Sequence, residues 1–313
     1  MLETQEDGIG FKKLFIVYRE GLKGFAEYSS RGLQLDGTFL KSETGGILLV
    51  ACYKNGANNI RIVAVALVAS ETLDTWSWFV GLLKTKLKSP PLFISSDRDK
   101  GLLAACSIHF PAVHHAFRHI LENFKNKKEK KLAWGLAKAK YRKEFDTAMS
   151  KMSPDDLKWL EEVGFENITL LRSPVCRYGL LTSNNVESIN SRILKLRTLP
   201  VAELLLGIEE IVLLDQFHDS EKTVISSPLE FTTYARKCLK TLRKYATAEN
   251  FTVEKTSETQ FQVQSSVYKF QLSTQDQGSC SCGEMALNKF PCAHFAFVAK
   301  EFKLNIGLYV CQK

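Results

Sequence analysis

Residues 33–68 read LQLDGTFLKSETGGILLVACYKNGANNIRIVAVALV. Three short runs, Leu33–Leu40, Gly46–Tyr53 and Ile60–Val68, are separated by KSETGG and KNGANN, whose glycines and asparagines form turns. The pattern predicts three consecutive antiparallel strands. ILLVACY and RIVAVALVA are almost continuously apolar, which marks strands covered on both faces, as in the interior of an α/β sheet.

Downstream, Trp76, Phe79, Val80 and Leu83 recur at helical spacing within Thr75–Lys86. Leu92–Ser95 reads as a fourth strand, about Lys100–Cys106 as a helix and Ala112–His115 as a fifth strand. The expected order is therefore β-β-β-α-β-α-β. Upstream, residues 1–31 are a mixed lead-in with an amphipathic stretch, Phe11–Tyr18. From Phe117 to Gly164 the pattern is helical and basic. Helices are then expected over Asn185–Arg197 and from Pro200 through Gln216, followed by a polar link, Ser220–Ser227, and a basic helical stretch, Pro228–Ala246. Beyond a boundary near residue 247, FTVEK, QFQVQ and YKFQL alternate as exposed-edge strands do, and cysteines then crowd together.

With 313 residues, 45% hydrophobic and 24% charged, the chain is neither disordered nor collagenous and has length for one large core and a smaller domain. Its longest apolar run, Ile62–Ala69, is eight residues, against about 20 for a membrane span. The first ten residues, MLETQEDGIG, hold three acids and no secretory h-region, so an intracellular chain with reduced thiols is expected. A net charge of +8 favours polyanionic partners.

Cys280-Ser-Cys282 and Cys292-Ala-His294 form two tight pairs of soft or borderline ligands, the Cys3His set of a structural zinc site. Four protein ligands leave no open position for catalysis. Pro291 starts an apolar helix, which puts Cys292 and His294 around its first turn. The other five cysteines, Cys52, Cys106, Cys176, Cys238 and Cys311, are scattered and read as small hydrophobes.

A second constellation is acidic. Asp36 lies in the first strand, Asp97 just past the fourth and Glu187 in SNNVESINSRI. If the fourth strand runs beside a central first strand, Asp36 and Asp97 converge at one sheet edge and a packed helix can add Glu187. Three carboxylates gathered there need divalent cations, and oxygen ligands select Mg²⁺ or Mn²⁺. Each acid also has a local reading: Asp36-Gly37 as turn chemistry, Asp97 as a helix N-cap, and Glu187 as the third residue of a capping box with Asn184. Basic residues cluster in two places. Between Lys125 and Lys143 there are nine Lys or Arg and one acid, Glu129, which is either a solvated helix face or a nucleic-acid surface. Lys125, Lys127, Lys128, Lys130 and Lys131 there, with Arg236, Lys237 and Lys240 further on, are the candidate phosphate contacts.

LQLDGTFLK, ETLDTWSWFVGLL, FISSDRDKGLLAA, FRHILENF and SNNVESIN, followed by CSC and CAH, resemble a Mutator-like element (MULE, MuDR family) transposase with a C-terminal SWIM zinc finger, over roughly residues 12–303. The resemblance implies a ribonuclease H-like α/β fold with a mixed sheet over 32–247, a helical insertion at about 120–180, and a small zinc-bound hairpin and helix module over 248–313. It implies a DDE triad of Asp36, Asp97 and Glu187 holding Mg²⁺ or Mn²⁺, structural zinc on Cys280, Cys282, Cys292 and His294, and DNA as substrate, hence the nucleus. A homo-oligomer and protein contacts through the zinc finger are further expectations; a membrane partner is not. Two departures stand out. The family's Cys-x-x-His motif keeps His119, an auxiliary candidate, but has Ala116 at the cysteine. Only 35 residues, none a cysteine, precede Asp36, where the family has a zinc-type DNA-binding domain, so a fragment or a degenerate or domesticated copy is expected. The alternative to an active transposase is a non-catalytic regulatory DNA-binding protein derived from one, as in the plant far-red response family.

Overall fold

The computed structural model describes residues 2–6, 11–29, 32–96, 99–110, 113–115, 117–122, 124, 127–182, 184–225 and 231–310. The chain divides into two compact units, Met1–Asn123 with Leu181–Glu230, and Phe124–Leu180 with Phe231–Lys313.

The first unit begins with β1 (Leu2–Glu6), β2 (Phe11–Val17) and α1 (Arg19–Tyr28). The expected series follows: β3 (Leu33–Phe39), β4 (Ile47–Lys54), β5 (Ile60–Val68), α2 (Leu73–Lys86), β6 (Ile94–Ser96), α3 (Lys100–His109), β7 (Val113–His115) and α4 (Phe117–Glu122). The second unit takes the next four helices, α5 (Lys127–Lys138), α6 (Arg142–Met149), α7 (Pro154–Val163) and α8 (Phe165–Ile168). The chain then returns to the first unit with α9 (Asn184–Arg192) and α10 (Val201–Ile225). It ends in the second with α11 (Thr233–Ala248), strands β8 (Thr252–Lys255), β9 (Gln260–Gln264), β10 (Lys269–Ser273) and β11 (Ser279–Cys280), and helices α12 (Glu284–Asn288) and α13 (Ala293–Glu301).

The first unit is built on a mixed sheet of order β1-β2-β5-β4-β3-β6-β7. β3, β4 and β5 pair antiparallel, whereas β6 runs parallel to β3 and β7 parallel to β6. The two-residue side-chain period sorts the sheet into two apolar faces. Leu33, Leu35, Leu49 and Ala51 pack with Trp76, Phe79 and Leu83 of α2 and Leu102 of α3. Leu48, Val50 and Cys52 pack on the other face with Ile189 of α9 and Leu204, Ile208 and Val212 of α10. The continuous apolar run of β4 thus reports cover on both sides, as its sequence implies.

Helix starts follow capping chemistry. Thr72 and Thr75 form a reciprocal box at α2, and the Asp99 side chain accepts from Leu102 N–H at 2.8 Å to cap α3. The amphipathic stretch is a strand, Phe11–Val17, paired with β5, and Leu14, Phe15 and Val17 pack into the sheet's apolar clusters. Two boundaries differ from the sequence expectation. α9 stops at Arg192, and the stretch to Thr198 is a turn and a short 3-10 helix. α10 runs on to Ile225 through the expected polar link, where Asp219 gains Arg61 as an ionic partner.

In the second unit, β8–β11 form an antiparallel sheet in the order β11-β10-β9-β8, longer than the expected hairpin. Phe261, Val263, Phe270 and Leu272 face Phe295 and Val298 of α13 and Leu239 of α11 in one core. The expected boundary near residue 247 therefore falls at the end of α11, inside this unit. Within its helices lies Arg177, 1% exposed. Its Nη1 donates to Asn167 O at 3.3 Å, but Nε and Nη2 have no partner among the described residues, and burial pushes the guanidinium down to about 9.

Candidate metal centres

The Cys3His centre is assembled from three pieces of local structure. Cys280 ends β11, Cys282 follows in the turn to α12, and Cys292 is the N-cap of α13, with His294 one residue into the helix. The four ligand atoms lie within 4.8 Å of one another. His294 Nδ1 is 3.7 Å from Cys280 Sγ and 3.8 Å from Cys292 Sγ. A tetrahedral zinc, with sulfur at about 2.3 Å and nitrogen at about 2.0 Å, separates S from N by about 3.6 Å, so the donor set fits the ion. Phe270 stacks on the imidazole at 3.9 Å between centroids, with Phe251 at 5.0 Å, and both rings hold its orientation.

The surroundings act unequally on the three thiols. Phe295 N–H donates to Cys292 Sγ at 3.4 Å at the positive end of α13. Hydrogen bonding among the sulfurs splits their titration: Cys282 is drawn well below the usual thiol range, Cys280 is pushed up to about 12, and Cys292 moves up strongly. Lys140 Nζ, 2.7 Å from Glu284, lies within the field of Cys282. Burial opposes its charge, but the hydrogen bond to Glu284 together with the charges of Glu284, Glu144 and Cys282 outweighs it and raises its pKa. Neither partner was evident from the sequence, because they are 144 positions apart.

The acidic constellation is described in part. Asp36 is half-buried on β3, opposite Val50 in register. Its Oδ2 accepts from Asn190 Nδ2 of α9 at 3.1 Å, a bond spanning 154 positions. Glu187 is half-buried on the same helix, and its spacing of three from Asn190 places the two on one face. α9 and β3 are thus brought together through Asn190 and Asp36. Asp97 lies outside the described residues, as do Ala116, Lys125, Cys311 and the side chain of His119. The N-cap role considered for Asp97 is filled by Asp99.

Two neighbours were missed in the sequence. An added Cβ at Gly37 would collide with the Glu71 carboxylate, so another acid stands against β3 beside the residue that follows Asp36, on the opposite face of the strand. Asn190 was passed over as an ordinary helix residue, although its spacing from Glu187 was a usable signal. Cys52 faces this side of the sheet; burial first, then the charge of Asp36, drives its thiol far above the usual range. It is an inert small hydrophobe, as is Cys106, which burial pushes up to about 12.

Lys127, Lys128 and Lys131 are exposed on α5, and Lys130 is half-exposed. Arg236, Lys237 and Lys240 are exposed on α11. Arg236 and Lys240, with Arg243, Leu239, Phe231 and Ile306, line a groove of about 850 Å³.

Fold and centres together define a mixed α/β unit with Asp36 on one of its strands, joined in one chain to a unit bearing a structural zinc site. Residues 32–123 match the family model of the MULE transposase domain, and residues 271–302 match the SWIM zinc finger. The first match contains Asp36 and Asp97, and the second contains all four zinc ligands. The two support a transposase-like DNA-binding protein. No curated protein matches the chain. Among the described residues no helix is long and apolar enough to cross a membrane.

Proposed function

We propose that the first unit is a ribonuclease H-like DDE nuclease and strand-transfer core, with Asp36, Asp97 and Glu187 as the catalytic acids. The observation that carries this is the Asn190–Asp36 bond, which holds the Glu187 turn of α9 over the strand bearing Asp36. Hydrolysis of a phosphodiester at an element end and attack of the freed 3′ hydroxyl on target DNA both need acidic oxygen ligands at one place. Mg²⁺ or Mn²⁺, when bound, activates the attacking oxygen and stabilises the leaving one. Asp36, Asp97 and Glu187 would hold the ions, Asp36 shared between them and the other two carboxylates serving one each. His119 is a candidate for support near the scissile bond.

Exposed lysines of α5 and the cations of α11 are placed to neutralise phosphates, which positions DNA without reading its sequence. The zinc-bound module folds the tail that packs on α11. DNA as substrate places the protein in the nucleus.

One observation favours the non-catalytic reading: Ala116 replaces the cysteine of the family's Cys-x-x-His motif. A single assay separates the two. The active core nicks supercoiled DNA in Mn²⁺, and Asp36→Asn or Glu187→Gln reduces nicking to background. Salt-sensitive DNA binding without nicking, unchanged in both variants, supports the regulator instead.

A further inference from the structure

Asp36 shares its strand face with polar residues that no apolar core asks for. Leu33 and Leu35 face one side of β3, so Gln34 and Asp36 face the other. Gln34 is the register partner of Ser95 on the parallel strand β6, and each is 1% exposed. Gln34 Oε1, Ser95 Oγ and Asn190 Oδ1 are buried without a hydrogen-bond partner among the described residues. Buried polar atoms in folded proteins are paired in about nine cases of ten, so an orphan on the residue that holds Asp36 and two more on the same side of the sheet mark a face built for polar occupants. Asn190 is the only one of the three that also touches the acid. An ionised carboxylate can only accept, so the amide must turn its NH₂ to Asp36 and its oxygen into the site.

We infer that Asn190 is a positioning residue for Asp36. This rests on the proposed role of Asp36 as an ion ligand. By donating to Oδ2, the amide fixes the carboxylate rotamer, while its own orphaned oxygen is turned to accept from water around an ion held by Asp36. Such outer partners typically change metal affinity by about 10- to 100-fold.

The test is Mn²⁺ binding to the whole chain, without DNA, read by the loss of the free-ion paramagnetic resonance signal and by the Mn²⁺-induced rise in melting temperature. Asn190→Ala should weaken binding at least about 10-fold, and Asp36→Asn should weaken it further. Asn190→Leu, close in volume and suited to a helix, serves if the alanine variant does not fold. Asn190→Asp sets a second carboxylate against Asp36, so it should melt lower than wild type without metal and gain more from Mn²⁺. Wild-type affinity in the Ala and Leu variants, with Asp36→Asn impaired, would overturn the inference and leave the proposed function standing. Wild-type affinity in Asp36→Asn would overturn both. A Mn²⁺ gain in Asn190→Asp no larger than in wild type would reduce Asn190 to a packing residue.

Discussion

Chelating zinc from the whole chain should unfold residues 250–305 while the first unit keeps its structure. Three sulfurs and an imidazole nitrogen crowd within 4.8 Å, with Cys280, Cys282 and Cys292 buried. Without a cation the ionised Cys282 is a buried charge, and the protonated Cys280 and Cys292 face it with weak donors. A structural zinc contributes on the order of 10 kcal/mol, more than a short sheet and one helix can replace. The proton count follows from the same geometry. In an unfolded tail each thiol titrates near about 8.5, so between about pH 6.5 and 8 all three are protonated and zinc must displace three protons. Affinity should then rise about 1,000-fold per pH unit, and the stability that zinc confers is lost as pH falls. Were the cage preformed without metal, the depressed Cys282 would already be ionised and only two protons would leave. The assay is competition with a chelator at several pH values, with amide exchange at Phe261, Val263, Phe270 and Leu272 in parallel. A slope near two, with exchange protection kept after chelation, would refute the reasoning.

Two further substitutions probe the units separately. Arg177→Met should keep or raise stability, by about 1 to 4 kcal/mol, because it removes a buried cation whose Nε and Nη2 lack partners. The sign is set by its pKa: with the folded value near 9 and the unfolded one higher, the unfolded state binds the proton more tightly, so the penalty is complete at pH 7 and eases only above about 9. Chemical denaturation at pH 7 and pH 10 checks it, and a loss above about 2 kcal/mol at pH 7 would show that the guanidinium is compensated. Asp219→Ala removes the carboxylate that takes two bonds from Arg61, at 2.7 and 2.6 Å, and one from Asn55 at 3.0 Å. Because Asp219 is 31% exposed, solvent screening holds the expected loss to about 2 kcal/mol. A change below about 0.5 kcal/mol in urea unfolding would show that α10 is held by its apolar face alone.

The strands from Leu33 to Val68, the helix after them and the four zinc ligands were legible because their signals are local. A two-residue alternation, a turn dipeptide or a Cys-x-Cys pair acts over neighbouring positions and reads the same in the chain as in the fold. What stayed open or failed was equally physical. Phe11–Val17 is amphipathic in either conformation, and pairing with β1 and β5 makes it a strand. Ser220–Ile225 is polar enough for a link, yet helix continues there, beyond an ionic contact to a residue 158 positions away. The local capping role weighed for Asp97 belongs to Asp99, since two acids two residues apart are equivalent until the helix start is set in space.

By itself, then, the sequence determined the order of strands and helices and the Cys3His donor set, and it offered Asp36, Asp97 and Glu187 as candidate acids. Only the tertiary structure decided that Asn190 meets Asp36, that Gln34 and Ser95 are buried beside each other, that Lys140 and Glu284 pair near the zinc ligands, and that α11 joins the zinc module. Each of these joins groups far apart along the chain. Such contacts arise from the packing of whole faces, and no short-range pattern of residues encodes them.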